Sequence, residues 1–256
     1  MILRRLGNKS KIAEKIQAYI PPPSVCGIWI EPFFGAGGMF FNLNEKRQYN
    51  IVNDNDTEVF NLYKVLRDNP VALRKALEQM PVDETLFKEW KTKKEKTPLM
   101  QAVRFLFLSN FGYKGKADTL HFGASNSKKI MLSNIEPTLR ALENVQIANA
   151  DFKVFLKTKI ARIPKHRGFI YADPPYLGTT NDYETDFKEK DSKDLFEALT
   201  KTKMRWAMSE FDHPFILAEA KRRKLEVVKI GERRNISNRR TEILIVNYDL
   251  KTFKIK

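Results

Sequence analysis

Residues 27–38 read GIWIEPFFGAGG, an apolar run that ends in a carboxylate and a proline and enters a glycine-rich turn. The helical-looking residues 39–43 follow. Glycine permits a tight turn and lets a ligand approach the backbone closely, as in the first strand, turn and helix of a dinucleotide-binding sheet. Phe40 replaces the third glycine of that fingerprint, so the turn favours a cofactor without a pyrophosphate.

Two later apolar runs also end in aspartate. The first ends at Asp54, about 19 residues after Gly35, where a carboxylate can meet ribose hydroxyls. The second, residues 168–172, leads into Asp-Pro-Pro-Tyr at 173–176. Proline fixes φ and lacks an N–H donor, so neighbouring carbonyls stay free to accept hydrogen bonds. The tetrapeptide is therefore suited to grip a planar group bearing an NH2, although an ordinary Pro-Pro turn is the alternative for these four residues alone.

In this order the motifs resemble the Dam-like family of S-adenosylmethionine-dependent DNA adenine methyltransferases. Residues 31–37 match the family's cofactor turn, and residues 173–176 match its catalytic tetrapeptide. Leu6–Lys9 is similar to the N-terminal segment that helps to hold the methionine moiety. Residues 106–115 are similar to the Asn-x-x-Gly-Tyr-x-Gly stretch, and residues 233–245 to the basic C-terminal loop and last strand. The resemblance spans nearly the whole chain.

The resemblance implies a site-specific enzyme that methylates a flipped adenine in duplex DNA, with S-adenosyl-L-methionine as its cofactor. The implied catalytic residues are Asp173, Pro174, Pro175 and Tyr176. The implied cofactor-binding residues lie in the N-terminal segment, in the glycine turn and at strand ends: Leu6, Lys9, Glu31, Pro32, Phe33, Phe34, Gly35, Ala36, Gly37, Gly38, Asp54, Asp151, Phe152 and Asp173. A helix cap after a strand is the alternative role of Asp151.

The candidate DNA contacts are basic or polar residues of two segments: Asn110, Tyr113, Lys114, Lys116, Thr119, His121, Arg233, Arg234, Arg239 and Arg240. The basic ones can neutralise phosphates, with a solvated loop as the alternative for each. Asn110 and Tyr113 are equally suited to cap and pack a helix end. Residues 116–123 are shorter than the hairpin that the family usually carries here, so its usual GATC target is not carried over.

Composition agrees with a polyanionic partner, for which double-stranded DNA is the prediction. The chain has 46 basic and 31 acidic residues and a net charge of +15, although a Lys-rich soluble surface gives the same balance. One cysteine, Cys26, and three separated histidines lead us to expect no disulfide and no metal site. We expect no membrane segment and a cytoplasmic, bacterial or phage-encoded protein. The resemblance also allows a cognate restriction endonuclease as a partner.

We expect an α/β fold, a Rossmann-like seven-stranded and mostly parallel methyltransferase sheet. Strands are predicted near 27–32, 49–53, 145–150, 168–172, 204–209, 225–230 and 242–248, and helices near 8–20, 57–79, 99–111, 135–144, 192–202 and 214–223. About 118 residues separate Asp54 from Asp173, against roughly 30 residues for one crossover. An inserted, mainly helical DNA-recognition subdomain is therefore predicted at 57–134, with its part 112–134 as loop or short hairpin. Residues 1–56 and 135–256 would form the catalytic domain.

Three alternatives stay open. An amino-methyltransferase acting on cytosine would use the same geometry, but more often carries Ser in place of Asp173. RNA- or protein-directed methyltransferases use related tetrapeptides without the large insertion. A nucleic-acid-binding protein with an inactive methyltransferase fold is the third, against which the intact Asp173 and the glycine turn argue.

Overall fold

The computed structural model describes residues 2–5, 8–112, 124–178, 187–234 and 239–253. Its strands are β1 (Ile28–Glu31), β2 (Tyr49–Asn53), β3 (Val145–Ala148), β4 (Gly168–Ala172), β5 (Arg205–Phe211), β6 (Glu226–Arg234) and β7 (Arg239–Val246). They form one seven-stranded sheet in the order β3-β2-β1-β4-β5-β7-β6. β1, β2, β4 and β5 pair in parallel, whereas β7 runs antiparallel to β5 and β6. The predicted seven-stranded, mostly parallel α/β sheet is confirmed.

The two central strands are buried along their whole length, as expected where a parallel sheet is covered on both faces. Ile30 of β1 pairs with Ile51 of β2 and with Ile170 of β4. Because these strands run in the same direction, their carboxyl ends meet at one edge of the sheet. Asp173 follows the end of β4 at that edge.

The helices are α1 (Ala13–Gln17), α2 (Thr57–Asp68), α3 (Pro70–Gln79), α4 (Glu84–Thr92), α5 (Pro98–Phe111), α6 (Ala124–Ser133), α7 (Ile135–Leu142), α8 (Phe152–Val154), α9 (Glu189–Thr202) and α10 (Pro214–Arg222). Short 3-10 helices span Phe40–Asn42 and Leu250–Phe253, and a π-helical stretch spans Phe155–Lys159.

Three secondary-structure predictions differ from the structure. α1 covers only the middle of the predicted helix 8–20. The predicted helix 57–79 is two helices, because Pro70 lacks an N–H donor and begins α3 as its first residue. The prediction of loop or hairpin over residues 112–134 is wrong for residues 124–133, which form α6.

By their internal contacts the described residues divide into two compact units. The helical unit draws on residues 1–9, 35–41 and 54–149, and the sheet unit on residues 10–34, 42–53 and 150–256. The predicted insertion, residues 57–134, lies within the helical unit. Its role as a target-recognition subdomain stays a prediction.

The helical unit is built around α5, whose residues 102–111 are all buried. Thr97 caps the helix by accepting a hydrogen bond from the N–H of Met100, and Pro98 occupies its first position. The Phe107 ring lies 5.2 Å from that of Trp90, between centroids. This apolar helix therefore forms the core against which its neighbours pack.

Tertiary contacts explain why α6 is helical although its sequence has little periodicity. The Lys128 ammonium donates hydrogen bonds to the carbonyl oxygens of Glu78, at 2.8 Å, and Met80, at 2.7 Å, at the end of α3. Met131 of the same helix is 1% exposed. A cation at a helix C-terminus satisfies carbonyls that have no intrahelical partner. Long-range packing thus outweighs local propensity here.

Candidate active site

The glycine turn bends through two residues with left-handed backbone. Gly35 has φ of +50° and Gly37 has φ of +69°, a region that side chains other than glycine rarely adopt. The N–H of Gly35 donates a hydrogen bond of 2.6 Å to Oδ2 of Asp54. Among the described residues, no atom outside its chain neighbours lies within 4 Å of a Cβ built at Gly35, so this part of the chain leaves space beside the backbone. Within the helical unit, the turn and Asp54 are directly connected.

Gly38 is required for a different reason, close packing. A Cβ at this position would lie 2.3 Å from Oδ1 of Asn8 and 2.6 Å from the backbone nitrogen of Lys9. The predicted cofactor residue Lys9, itself 2% exposed, therefore lies in the segment that packs against the turn. Leu6, which was also predicted, lies outside the described residues.

Asp54 belongs to a chain of carboxylates and donors at the start of α2. Its Oδ1 accepts the N–H of Asp56 at 2.9 Å, and Asp56 in turn pairs with Arg5 at 2.8 Å. Burial raises the pKa of Asp54, opposed by the N–H of Asp56, the Arg5 charge and the N–H of Gly35. Asp54 is thus the carboxylate of this cluster that is bonded to the turn.

In the sheet unit, Asn53 joins the ends of the strands. Its side-chain amide donates to the carbonyl oxygens of Pro32, at 3.0 Å, and Ala150, at 2.9 Å, and it is 1% exposed. Its own carbonyl accepts the N–H of Phe34 at 2.9 Å. Asn53 was not predicted as a site residue, although an amide at the end of an apolar strand is a usable signal. Glu31 at the end of β1 is buried and accepts a hydrogen bond of 2.9 Å from the Trp29 indole.

Asp151 and Phe152 occupy the start of α8. Oδ1 of Asp151 accepts the N–H of Lys153 at 2.8 Å, so the carboxylate has the helix-cap role that was its alternative. Phe152 lies in an aromatic cluster, 5.4 Å from Phe33 and 6.1 Å from Phe187 between ring centroids. Phe187 was not predicted, because nothing in the sequence near it indicates that it meets the other two rings.

The Asp-Pro-Pro-Tyr segment follows β4 without an intervening loop. Asp173 is half-buried, Pro174 is buried, and Tyr176 is 8% exposed. The Tyr176 hydroxyl donates to Oε1 of Glu242 at 2.7 Å, and its ring meets Phe211 edge to face at 4.7 Å. Burial, together with the negative charge of Asp173, raises the pKa of Tyr176 well above its usual range. The tyrosine is therefore a neutral, fixed ring beside the carboxylate.

Of the predicted DNA contacts, the structure describes the side chains of Asn110 and Arg240. Asn110 is 5% exposed, and its amide donates to the carbonyl oxygens of Ile2 and Leu106, so in this structure it is a structural residue of α5. Arg240 is half-buried and donates to the carbonyl oxygen of Gly178 at 2.8 Å. The remaining predictions lie outside the described residues, or their side chains do: Tyr113, Lys114, Lys116, Thr119, His121, Arg233, Arg234 and Arg239.

Among the residues that the structure describes, no group of three or more His, Cys, Asp or Glu side chains is arranged to hold a metal ion. Within the same ranges, no helix combines the length and the apolar character needed to cross a membrane.

Comparison with known proteins gives a consistent family. The sequence model described as D12 class N6 adenine-specific DNA methyltransferase matches residues 6–248. The Type II methyltransferase M.MjaIII of Methanocaldococcus jannaschii is 25% identical, over 80% of this chain and 81% of its own length. The Retron Ec67 DNA adenine methylase of Escherichia coli is 28% identical, over 86% of this chain and 76% of its own. Among solved structures, the N-terminal domain of human METTL16 in complex with SAH aligns with a TM-score of 0.43 and 12% identity, over 93% of this chain and 68% of that one.

Proposed function

Because the chain belongs to the D12 class N6 adenine-specific DNA methyltransferase family, we propose that Asp173, Pro174 and Tyr176 hold its target adenine. The protein is an adenine-specific DNA methyltransferase. One observation carries the assignment of these residues: Asp173-Pro-Pro-Tyr continues β4 at the edge where β1, β4 and β5 all end. Ligands of open α/β sheets bind outside the carboxyl ends of the strands.

The chemistry of an exocyclic amine requires acceptors at such a site. The amine is a poor nucleophile because its lone pair is delocalised into the purine ring. The Asp173 carboxylate and the Pro174 carbonyl can each accept a hydrogen bond from one N–H of the amine. Together these bonds draw the nitrogen toward tetrahedral geometry. Orientation and electrostatic stabilisation would then carry most of the rate acceleration. The target atom of a paired adenine lies inside the duplex, so the base must be flipped and stacked, here against Tyr176.

The residues of the turn fit S-adenosylmethionine, which supplies the methyl group when bound. The described residues leave space beside the Gly35 backbone, and Phe40 replaces the glycine that a pyrophosphate would require. Asp54 would accept hydrogen bonds from the ribose hydroxyls, while its hydrogen bond from the N–H of Gly35 keeps the turn in place. Phe33 and Phe152 would offer apolar ring surface to the cofactor's adenine, and Phe187 joins them in that cluster.

The test is methyl transfer from labelled S-adenosylmethionine to unmethylated genomic DNA, followed by digestion to nucleosides. We expect label in N6-methyladenine, and sequencing of the same DNA then identifies the target site. Label in cytosine would overturn the assignment of the target base. In a parallel reaction with total RNA, label in RNA but not in DNA would replace the DNA substrate. Saturable cofactor binding without transfer to either nucleic acid would indicate an inactive fold.

Cofactor affinity should depend on pH through Asp54. The ionised carboxylate accepts the ribose hydroxyls, so affinity falls as pH falls through the pKa of this group. Since burial raises that pKa above the usual 3.8, the loss should begin at a higher pH than an exposed aspartate would give. The free energy of unfolding has the opposite pH dependence. A carboxyl group whose pKa is raised in the folded state contributes stability at low pH, and this contribution is lost as the pH rises through that pKa.

Calorimetric titration of S-adenosylmethionine from neutral to mildly acid pH measures this dependence. Asp54→Asn should bind more weakly at neutral pH but without the acid decline, whereas Asp249→Asn, at an exposed site, should follow the wild type. An acid decline that persists in Asp54→Asn would assign the titration to another group.

The salt dependence of DNA binding should show whether Arg233 and Arg234, in the basic C-terminal segment, neutralise DNA phosphates. Replacing Arg233 and Arg234 by glutamine should lower the log–log slope by about 0.9 for each phosphate that is no longer neutralised. The control is Arg222→Gln, an exposed arginine that is already paired with Glu219 at 2.7 Å. Equal slopes in all three proteins would place the phosphate-binding residues elsewhere.

A further inference from the structure

Two buried glutamates lie on β5 and β7 beside the tetrapeptide. Glu210 and Glu242 are each 1% exposed, in strand segments that are otherwise mainly apolar. A carboxylate in such surroundings is costly unless hydrogen bonds compensate for its lost hydration. Both have such bonds, and both bond to the segment that begins with Tyr176. Their burial therefore serves a contact with the catalytic segment.

Glu242 fixes the ring of the tyrosine. Its Oε1 accepts the Tyr176 hydroxyl at 2.7 Å, and its neighbour across the strand pair is Phe211. That phenylalanine packs edge to face against the same tyrosine ring at 4.7 Å. Two paired residues of β5 and β7 thus hold this ring, Glu242 through its hydroxyl and Phe211 through an aromatic contact.

Glu210 fixes the main chain that follows. Its Oε1 accepts the N–H of Leu177 at 3.0 Å, and its Oε2 accepts the N–H of Phe211 at 2.7 Å. The carboxylate therefore bridges the catalytic segment and the end of β5. It leaves no freedom for the peptide after Tyr176 to rotate without breaking a buried hydrogen bond.

Arg240 completes the same arrangement from β7. Its guanidinium donates to the carbonyl oxygen of Gly178 at 2.8 Å and lies 5.6 Å from the centre of the Phe211 ring. Gly178 has φ of +70°, so the chain turns sharply at the residue that the arginine holds. Three successive residues, 176–178, are bound by side chains of two adjacent strands.

We propose that Glu242 and Glu210 are positioning residues of the methyl-transfer site. Glu242 sets the orientation of the Tyr176 ring on which the target base stacks, and Glu210 sets the path of the chain behind it. The proposal rests on the proposed function for its catalytic consequence, but the contacts themselves can be tested separately. Neither glutamate is assigned a contact with the substrate, so both act through the tetrapeptide.

The experiment compares Glu242→Gln, which keeps an acceptor for the hydroxyl, with Glu242→Met, which has similar length and no acceptor. Glu226→Gln, an exposed glutamate at the start of β6, is the matched control. Once the target sequence is known, kcat, KM for DNA and Kd for S-adenosylmethionine are measured for each protein. The fluorescence of 2-aminopurine in place of the target adenine reports how the flipped base stacks.

Glu242→Met should lower kcat about 100-fold, the cost of a misplacement on the order of 1 Å, with little change in cofactor Kd. Its 2-aminopurine complex should fluoresce more than the wild-type complex, since a misaligned ring quenches less. Glu242→Gln should rescue both properties. Equal kcat and fluorescence in the methionine and glutamine variants would overturn the proposal.

Two further measurements cover the remaining outcomes. If Glu242→Met does not fold, Tyr176→Phe breaks the same bond from the other side, and unchanged turnover in that variant would refute the positioning role. If the wild type methylates no DNA, the proposed function has failed, yet melting temperatures still test the contact. Tyr176→Phe and Glu242→Met, each of which removes the hydrogen bond, should then show coupled losses of stability, and strictly additive losses would refute the bond itself.

Discussion

Asp173→Ala should lower kcat for methyl transfer by about 10²–10³-fold, while DNA affinity changes little. The carboxylate is the one charged acceptor of the tetrapeptide, so its removal leaves the amine nitrogen with only the hydrogen bond to the Pro174 carbonyl. Removing a single positioned polar group from an active site typically lowers kcat about 10²–10³-fold. Because Asp173 would act on the reacting amine and not on the phosphate backbone, filter binding of duplex DNA should detect little change.

Asp173→Asn separates charge from shape. Asparagine keeps one acceptor oxygen but presents an NH2 group where the second oxygen was, so it should retain little of the activity. Asp249→Ala, at an exposed site, controls for the loss of a carboxylate in general. Methylation by Asp173→Ala at the wild-type rate would remove this residue from the mechanism.

Gly38→Ala should have the second largest effect, on cofactor binding. Its methyl group would lie 2.6 Å from the backbone nitrogen of Lys9, which cannot move without displacing the N-terminal segment. Overpacking of this kind costs about 1–3 kcal/mol. If the displaced segment holds the cofactor, the Kd of S-adenosylmethionine should rise about tenfold or more.

Gly27→Ala is the matched control, because a methyl group there would have its nearest contacts at an ordinary 3.8 Å. It should bind the cofactor like the wild type. Combining Gly38→Ala with Asn8→Ala removes the side-chain clash but not the backbone clash, so affinity should stay low. Normal affinity in Gly38→Ala would show that residues 8–9 do not contribute to the cofactor site.

The sheet could be predicted because its strands are encoded by local patterns. Residues 168–172 form a continuous apolar run, as a strand covered on both faces must. The helices were less predictable where tertiary contacts decide. α6 is helical although its sequence lacks periodicity, because Lys128 and Met131 are fixed by distant parts of the helical unit. Local sequence patterns do not identify these distant contacts.

The site divides in the same way. Asp54 and Asp173 were proposed as site residues from their place directly after apolar runs, and their roles stay predictions. Glu210 and Glu242 were missed, although an acidic residue inside an apolar strand is a signal of a buried partner. What the sequence could not supply was the identity of that partner, since Tyr176 lies 66 residues from Glu242. Arg240 was predicted to bind phosphate, but its observed contact is with the carbonyl oxygen of Gly178.

The pairing of β1 with β4 has a consequence for synthesis of the chain. Ile28 pairs with Gly168, 140 residues later, so one edge of the first central strand stays uncovered on the ribosome. At about 5–20 residues per second, that wait lasts roughly 7–28 seconds. An exposed apolar strand edge is a template for aggregation during this time. The strand that presents Asp173 is also the one that ends this exposure, so nascent chains that stop before it should be the ones that chaperones retain.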